Sequence, residues 1–310
     1  MIFLWNYIRE IKEEELMPRR KFPKWITKWI MTWRKWVHYG KIEKIDEKSI
    51  VYILPKESVL KKIKEEKEYA ILSKNLKISL QKESKNKALT FYKSSRTFQY
   101  LIEQTLKYII VQLGEEDFTL ERIDVYFLMN HFQKEYSEIL TYFLEKVKTM
   151  NVVTMQIQNY MQLEEKWEKE KGILITVSNN KRKSLKKAKW IVNFDFTAEQ
   201  LATYNLYRNA VILNMTDESL KGLTAFEGIT VQQVEIKVKE ELEGQWKEKG
   251  LDTQVFDTLE LYETRILRES TYAQNVRKAE ENEVKVIHLI GNNGRIAQKE
   301  LLGKKIFLTN

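Results

Sequence analysis

Between Ile123 and Asp217 the sequence repeats one pattern, in which a short apolar strand alternates with a helix. Strands that are apolar on both faces are typical of a parallel sheet covered by helices on either side. The predicted strands span residues 123–129, 151–155, 173–177, 190–194, 210–215 and 229–238. The first connection, residues 131–148, carries its apolar side chains at helical spacing. The pattern therefore predicts an α/β fold built on a mostly parallel sheet.

Such a sheet is Rossmann-like, and its first turn is where a dinucleotide would bind. In that fold a glycine-rich turn after the first strand brings the backbone close to the pyrophosphate. Residues 129–135 contain no glycine, so side chains would fill this space. An acidic residue at the end of the second strand is also missing, and Thr154-Met155-Gln156 stands there instead. No cofactor is expected, with NAD(P) kept as a disfavoured alternative.

One stretch nevertheless resembles known dinucleotide-binding domains. Residues 172–196 place Ser184, Leu185 and Ala188 before an apolar strand at 190–193. In this order the stretch resembles the cofactor domain of shikimate dehydrogenases and glutamyl-tRNA reductases, where a short helix precedes a strand that lines the nicotinamide pocket. The strand at 209–217 resembles the next strand of those domains. The resemblance implies a degenerate relative of the fold and carries over no catalytic residue.

The remaining segments suggest further domains. The predicted organisation is a basic, Trp-rich helical extension (1–45), a small α/β domain with a connecting helix (46–118), the Rossmann-like domain (119–240) and a C-terminal helix with a strand-turn segment (241–310). Helices are predicted at 1–16, 96–113, 198–208 and 253–277. Parallel strands are predicted at 49–54 and 69–72, and a strand, a Gly291–Gly294 turn and a short helix at 284–303. A phosphate-binding role of the two glycines is the alternative to a simple turn.

Composition excludes several kinds of site. The chain has no Cys, and its three His are far apart, so no zinc-binding spacing exists and no metal is expected. Walker loops, nucleophile elbows and kinase motifs are missing from the sequence. No apolar run is long enough to cross a bilayer. A Cys-free chain fits a reducing compartment, so a cytoplasmic protein is expected, with peripheral membrane attachment as an alternative.

The N-terminal region concentrates both positive charge and tryptophan. Residues 1–45 contain 11 basic and 5 acidic residues, which is six of the nine net positive charges of the chain. Four tryptophans follow helical spacing between Pro23 and Gly40: Trp25, Trp29, Trp33 and Trp36. Lys24 and Lys28 are among the basic residues at other positions of this helix. Three interpretations stay open: attachment to an anionic membrane, a nucleic-acid or protein-binding surface, and packing of the Trp stripe on the next domain.

Polar side chains follow most of the predicted strands at their carboxyl ends. The candidate ligand-binding residues are Asn130, His131, Ser178, Asn179, Asn180, Asp195 and Asn214, with Thr197, Thr216 and Asp217 beside them. Open α/β sheets bind ligands at this edge. The simpler interpretation is that these residues cap helices and close turns, and Thr197 with Gln200 predicts a capping box. His131 is the one candidate acid-base group.

A basic loop follows the third predicted strand of this sheet. It contains Lys181, Arg182, Lys183, Lys186, Lys187 and Lys189. A contact with phosphate or nucleic acid is one interpretation, and a solvated surface is the other.

Two functional hypotheses follow. The first is a non-catalytic Rossmann-like protein that binds an unknown protein partner or an anionic surface through its Trp-rich N-terminus. The second is an enzyme or sensor that binds a nucleotide-type ligand, such as NAD(P), in a cleft between domains.

Overall fold

A computed structural model gives the fold of the chain in two compact units. It describes residues 5–10, 16–18, 22–37, 41–46, 49–54, 70–77, 95–115, 117–171, 175–216, 218–223, 226–267 and 271–304. One unit consists of residues 1–93 and 239–265, and the other of residues 94–238 and 266–310. Both units combine helices with a sheet, which agrees with the predicted α/β class. The predicted four-part division of the chain stays a prediction.

The first unit is built on a four-stranded sheet. Its N-terminal elements are β1 (Trp5–Glu10), α1 (Lys24–Val37), β2 (Lys41–Asp46), β3 (Ser49–Leu54) and β4 (Ala70–Leu72). The strand order is β2-β3-β1-β4. Strand β1 pairs in parallel with both β3 and β4, whereas β2 is antiparallel to β3. The predicted parallel strands at 49–54 and 69–72 are therefore confirmed, with β1 inserted between them.

The helix predicted for residues 1–16 is wrong where the structure describes it, because residues 5–10 form strand β1. Short apolar runs fit either a helix or a strand, and here the tertiary structure decides. As an inner strand, β1 has neighbours on both sides, and Tyr7 and Ile8 are both fully buried. The Tyr7 hydroxyl also hydrogen-bonds the Thr264 hydroxyl at 2.8 Å.

The second unit contains the predicted strand and helix alternation. Its elements are α2 (Ser95–Tyr100), α3 (Ile102–Gln112), β5 (Asp124–Leu128), α4 (Lys134–Phe143), β6 (Thr149–Val153), α5 (Ile157–Lys171), β7 (Thr176–Ser178), β8 (Trp190–Asn193), α6 (Ala198–Ala202), β9 (Val211–Asn214) and β10 (Ile229–Lys237). Helices α7 (Glu240–Glu248) and α8 (Thr258–Arg265) belong to the first unit. The chain then returns to the second unit with α9 (Tyr272–Glu281), β11 (Lys285–Gly291), β12 (Gly294–Ile296) and α10 (Gln298–Gly303).

The eight-stranded sheet of the second unit has Rossmann topology. Its order is β12-β11-β10-β9-β8-β5-β6-β7. The strands from β5 to β10 are all parallel, and in chain order they are arranged 3-2-1-4-5-6. The predicted Rossmann-like, mostly parallel sheet is thus confirmed. Strand order reverses between β5 and β8, which is where ligands bind in open sheets of this kind.

Two predicted helices are interrupted. The one predicted at 253–277 is two helices, α8 and α9, because each has its own N-terminal cap. Asp257 Oδ1 accepts the backbone N–H of Leu259 at 2.9 Å, and Thr271 forms a capping box with Gln274. The one predicted at 96–113 breaks at Leu101 into α2 and α3.

Local turn chemistry ends the elements as expected in two places. Gly114 adopts a φ of 85° directly after α3, and its N–H and that of Glu115 donate to carbonyls of the last turn. This is the Schellman arrangement, which favours glycine. Strands β11 and β12 form a hairpin in which Gly291 pairs with Gly294. The predicted turn at 291–294 is confirmed.

The centre of the second unit's core is formed by two strands, β8 and β9, that are buried along their whole length. All four residues of β8 and all four of β9 are buried, which matches the continuous apolar runs in the sequence. Leu185 and Ala188, from the stretch before β8, are also fully buried. Full burial of an aliphatic side chain stabilises a fold by about 1.5–3 kcal/mol. These strands therefore give the carboxyl edge of the sheet a rigid base.

Candidate functional site: the switch point of the sheet

The residues that follow β5 and β8 lie together at the point where strand order reverses. Asp195 Oδ1 accepts the backbone N–H of Asn130 at 2.7 Å, and Asp195 Oδ2 accepts the backbone N–H of His131 at 2.7 Å. Both amides belong to the turn after the first strand of the Rossmann sheet. One carboxylate therefore bridges the two consecutive N–H groups of this turn.

The imidazole of His131 contacts the same carboxylate. Its Nδ1 lies 3.0 Å from Asp195 Oδ2. The histidine side chain is 68% exposed, whereas the aspartate side chain is only 13% exposed. When Nδ1 carries the proton, Asp195 accepts hydrogen bonds from three groups of this one turn. The rest of the imidazole faces solvent.

Further hydrogen bonds fix the turn from several sides. The Tyr160 hydroxyl donates to the carbonyl of His131 at 3.0 Å. Asn130 is buried, and its Oδ1 accepts the backbone N–H of Met155 at 3.0 Å while its Nδ2 donates to Gln200. The turn is thereby attached to α5, to the end of β6 and to α6.

The charge of Asp195 acts on the phenols around it. Burial, followed by the negative charges of Asp195 and Glu135, raises the pKa of Tyr136 to about 12. Burial, followed by the charge of Asp195, likewise raises the pKa of Tyr160. Both phenols are therefore protonated at neutral pH and act as neutral groups.

This arrangement places a carboxylate where a Rossmann protein binds phosphate. The amides after the first strand are the usual partners of a pyrophosphate, and hydrogen bonds to an ionised acceptor are among the strong ones. In this chain Asp195 already takes both. A phosphate that approached the same amides would have to displace an intramolecular carboxylate.

Asn214 belongs to a second polar group, centred on β8 and β9. Asn193 donates to Asn214 Oδ1 at 2.7 Å and to the carbonyl of Phe196 at 2.9 Å, and its Oδ1 accepts the Phe196 N–H at 2.9 Å. Asn214 in turn donates to Gln232 at 2.8 Å, and Gln232 donates to Asn292 at 2.8 Å. Asn193 and Asn214 are fully buried. This group links the carboxyl ends of β8 and β9 to β10 and to the turn between β11 and β12.

The third group follows β7 and supports the basic loop. The hydroxyls of Ser178 and Ser184 lie 2.7 Å apart, and Asn180 Oδ1 accepts the N–H groups of Arg182 and Lys183. Asn179 is exposed beside them. Six of the seven candidate residues thus fall into three separate hydrogen-bonded groups, and Asn179 lies beside the third. Whether any of them binds a ligand stays a prediction.

Sequence reasoning missed the partners that complete these groups. Asn193, Gln200, Gln232 and Asn292 were not candidates for the site. Asn193 could have been identified from the sequence, because the neighbouring strands β8 and β9 both end in Asn. The predicted capping box of Thr197 and Gln200 is present. Asp217 lies outside the described residues.

The tryptophans of α1 form an exposed stripe. Trp25, Trp29 and Trp33 are 74%, 66% and 53% exposed. Lys24 and Lys28, on the same helix, are exposed as well. The side chain of Trp36 lies outside the described residues. The three described tryptophans therefore lie largely in solvent, and the choice among the three interpretations of the stripe stays a prediction.

The opposite side of α1 is attached to its unit. Arg34 Nη1 donates to the carbonyl of Met17 at 2.6 Å, next to Leu16, which is almost fully buried. Arg34 follows Trp25 by nine residues, about two and a half turns, so the two side chains leave the helix in opposite directions. Between these sides, Ile26 and Ile30 are half-buried. The attachment of α1 therefore leaves its Trp stripe facing outward.

Comparison with known proteins adds little to the geometry. No family model matches the sequence, and no curated protein matches it. Among solved structures, L-tryptophan dehydrogenase from Nostoc punctiforme is similar over 90% of this chain and 80% of its own, with 9% identity and a TM-score of 0.34. A likeness this remote carries no inference about activity.

The described residues also bear on metal binding and on membrane insertion. They contain no group of three or more His, Asp or Glu side chains that could hold a metal ion. No helix in the described part of the chain is long and apolar enough to span a bilayer.

Proposed function

We propose that this chain is a non-catalytic Rossmann-like protein that attaches to an anionic membrane surface through α1. The observation that carries the proposal is the exposure of Trp25, Trp29 and Trp33 on one side of a helix whose other side is held by its unit. A stripe of large apolar side chains in solvent is typical of a contact site. The side-chain types on this helix indicate what kind of surface it contacts.

Tryptophan with lysine is the combination that membrane interfaces favour. The indole ring prefers the headgroup region, and lysine is attracted to anionic lipids. Helix α1 contains four basic residues and no acidic residue. Burying on the order of 100 Å² of each tryptophan would contribute about 2.5 kcal/mol per residue. Three such residues are enough for reversible attachment, with the basic residues adding selectivity for negative charge.

The contact of Asp195 with the turn after β5 supports the non-catalytic part of the proposal. A dinucleotide enzyme needs the amides after its first strand for phosphate, and here Asp195 accepts hydrogen bonds from both. His131 has an orienting carboxylate, but one oriented imidazole does not make a mechanism. The burial of Leu185 and Ala188 in the core also fits kinship with the cofactor domain of shikimate dehydrogenases and glutamyl-tRNA reductases. We propose that kinship at the level of fold, without the activity.

The experiment is vesicle co-sedimentation with the full chain. The variant Trp25→Ser/Trp29→Ser/Trp33→Ser should lose at least tenfold in affinity for phosphatidylserine-containing vesicles, about 1.4 kcal/mol. The variant Lys24→Gln/Lys28→Gln should lose affinity for these vesicles but not for pure phosphatidylcholine. A matched control replaces three exposed apolar residues of the second unit, Val111→Ser/Met161→Ser/Leu302→Ser, and should bind like the wild type.

The proposal fails if the tryptophan variant binds vesicles as the wild type does, or if the control variant loses as much affinity. Circular dichroism before each assay confirms that the variants are folded. Because the three tryptophans are exposed, their replacement should leave the melting temperature nearly unchanged.

A further inference from the structure

The loop from Lys181 to Lys187, called here the basic turn, presents five cations to solvent. All five are exposed: Lys181, Arg182, Lys183, Lys186 and Lys187. Within the described part of the chain none of them forms an ion pair. Like charges this close repel each other, so an unpaired cluster is an unfavourable arrangement that an external anion would relieve.

The backbone of the basic turn is held rigidly. Asn180 Oδ1 accepts two N–H groups of the turn, and the Asn205 N–H donates to the carbonyl of Lys181 at 2.8 Å. The Tyr207 N–H donates to the carbonyl of Leu185 at 2.9 Å, and the Leu185 side chain is fully buried. The backbone that carries these cations is therefore already ordered, so binding an anion costs little backbone entropy.

We infer that the basic turn also binds anionic lipid headgroups, an inference that rests on the proposed attachment through α1. Apart from buried Leu185 the turn carries no apolar side chain, so this contact is electrostatic and does not insert into the bilayer. A flat field of lipid headgroups satisfies many cations at once. The lack of an aromatic side chain among residues 181–187 argues against stacking on single-stranded nucleic acid.

The two contacts differ in how they respond to salt. Attraction of exposed cations to a charged surface weakens when the screening length falls from about 10 Å at 0.1 M to about 3 Å at 1 M salt. Burial of indole rings does not weaken in this way. Vesicle binding through the basic turn should therefore disappear at high salt, while the tryptophan contribution remains.

The test uses the full chain with Lys183→Gln/Lys186→Gln/Lys187→Gln. At low salt its affinity for phosphatidylserine-containing vesicles should fall by about fivefold per charge, roughly a hundredfold in total. The matched control removes the same charge from exposed lysines elsewhere on the same unit, Lys148→Gln/Lys285→Gln/Lys299→Gln. The affinity of this control for the same vesicles should fall only a few-fold.

The outcomes separate this inference from the proposed function. If the tryptophan variant loses binding and the basic-turn variant does not, attachment through α1 stands and the inference is overturned. Equal losses in the basic-turn variant and its control overturn the inference too, because they reflect net charge alone. If the basic-turn variant keeps its vesicle affinity but loses affinity for a nucleic-acid duplex, the turn is a nucleic-acid contact and the inference fails. A selective loss on vesicles, abolished at high salt, supports it.

Discussion

Asn193 and Asn214 are paired residues at the ends of β8 and β9, and Asn193 Nδ2 donates to the side-chain Oδ1 of Asn214 at 2.7 Å. Both side chains are fully buried. A buried amide is tolerated only when its hydrogen bonds are made, and each of the two makes several. The pair therefore fixes the spacing of the loops that follow these strands.

Replacing Asn193 should be costly. Asn193→Leu keeps the approximate size but leaves the Phe196 backbone N–H and carbonyl without their partner. We expect the free energy of unfolding to fall by about 3 kcal/mol, measured by urea denaturation. Thr216→Val, which removes longer and partly exposed hydrogen bonds to Asn214 Oδ1 and to the Glu218 carbonyl, should cost less than about 1 kcal/mol. Similar losses in the two variants would contradict this account.

Replacing Asp195 should both loosen the turn and open its amides. Asp195→Ala leaves two N–H groups without their acceptor, and we expect a loss of about 1–3 kcal/mol in unfolding free energy. Inorganic phosphate should then stabilise the variant in thermal melting but not the wild type, because the amides accept an anion only once the carboxylate is gone. Glu199→Ala, an exposed acidic residue of α6, is the matched control. Equal stabilisation of all three proteins by phosphate would contradict the conclusion that Asp195 occupies the amides that would otherwise bind phosphate.

The Glu103 carboxylate should make stability depend on acid pH. Burial alone would raise its pKa, but hydrogen bonds from Lys107, Lys146 and Tyr142 lower it to about 2. A carboxyl group with a lowered pKa stabilises the fold above its unfolded value, near 4.5, and this contribution is lost as the pH falls toward 2.

We therefore expect Glu103→Gln to lower the unfolding free energy by about 2 kcal/mol at neutral pH. The difference from the wild type should shrink between pH 4.5 and pH 2. Urea denaturation at several pH values checks this. Lys107→Gln, which removes the more exposed partner, should have a smaller effect at every pH. A constant difference between Glu103→Gln and the wild type would contradict the assignment.

Two glycines should respond to alanine with opposite signs. Gly114 has a φ of 85° at the end of α3, so Gly114→Ala should destabilise by about 1 kcal/mol through backbone strain alone, since no atom lies within 4 Å of the added Cβ. Gly244 is exposed inside α7, with the same open space. Gly244→Ala should stabilise by roughly 0.5–1 kcal/mol because alanine favours the helix. Thermal melting of both variants checks the signs.

The sequence predicted the Rossmann-like sheet because its strands are buried on both faces, and such strands read as continuous apolar runs. It did not predict the role of Asp195. The partners of this carboxylate are backbone amides, which every residue possesses, and they come within reach only because β5 and β8 are adjacent in the sheet. The sequence therefore identified Asp195 as a candidate residue but could not predict its hydrogen bonds to the backbone of Asn130 and His131.

The errors have similar physical causes. Strand β1 was predicted as a helix because its few apolar residues fit both periodicities, and its pairing with β3 and β4 is non-local. The caps at Asp257 and Thr271 were visible in the sequence, but the apolar spacing around them favoured one long helix. The capping box at Thr197 was predicted because all of its residues are close in sequence.

Both outer strands of the eight-stranded sheet, β7 and β12, are only three residues long. The unpaired N–H and carbonyl groups of an edge strand are what a foreign peptide would need in order to extend the sheet. Because β7 and β12 offer few such groups, a second copy of the chain would form few hydrogen bonds by adding a strand to this sheet. Within the described part of the chain, the short edge strands of this sheet therefore disfavour fibre growth by strand addition.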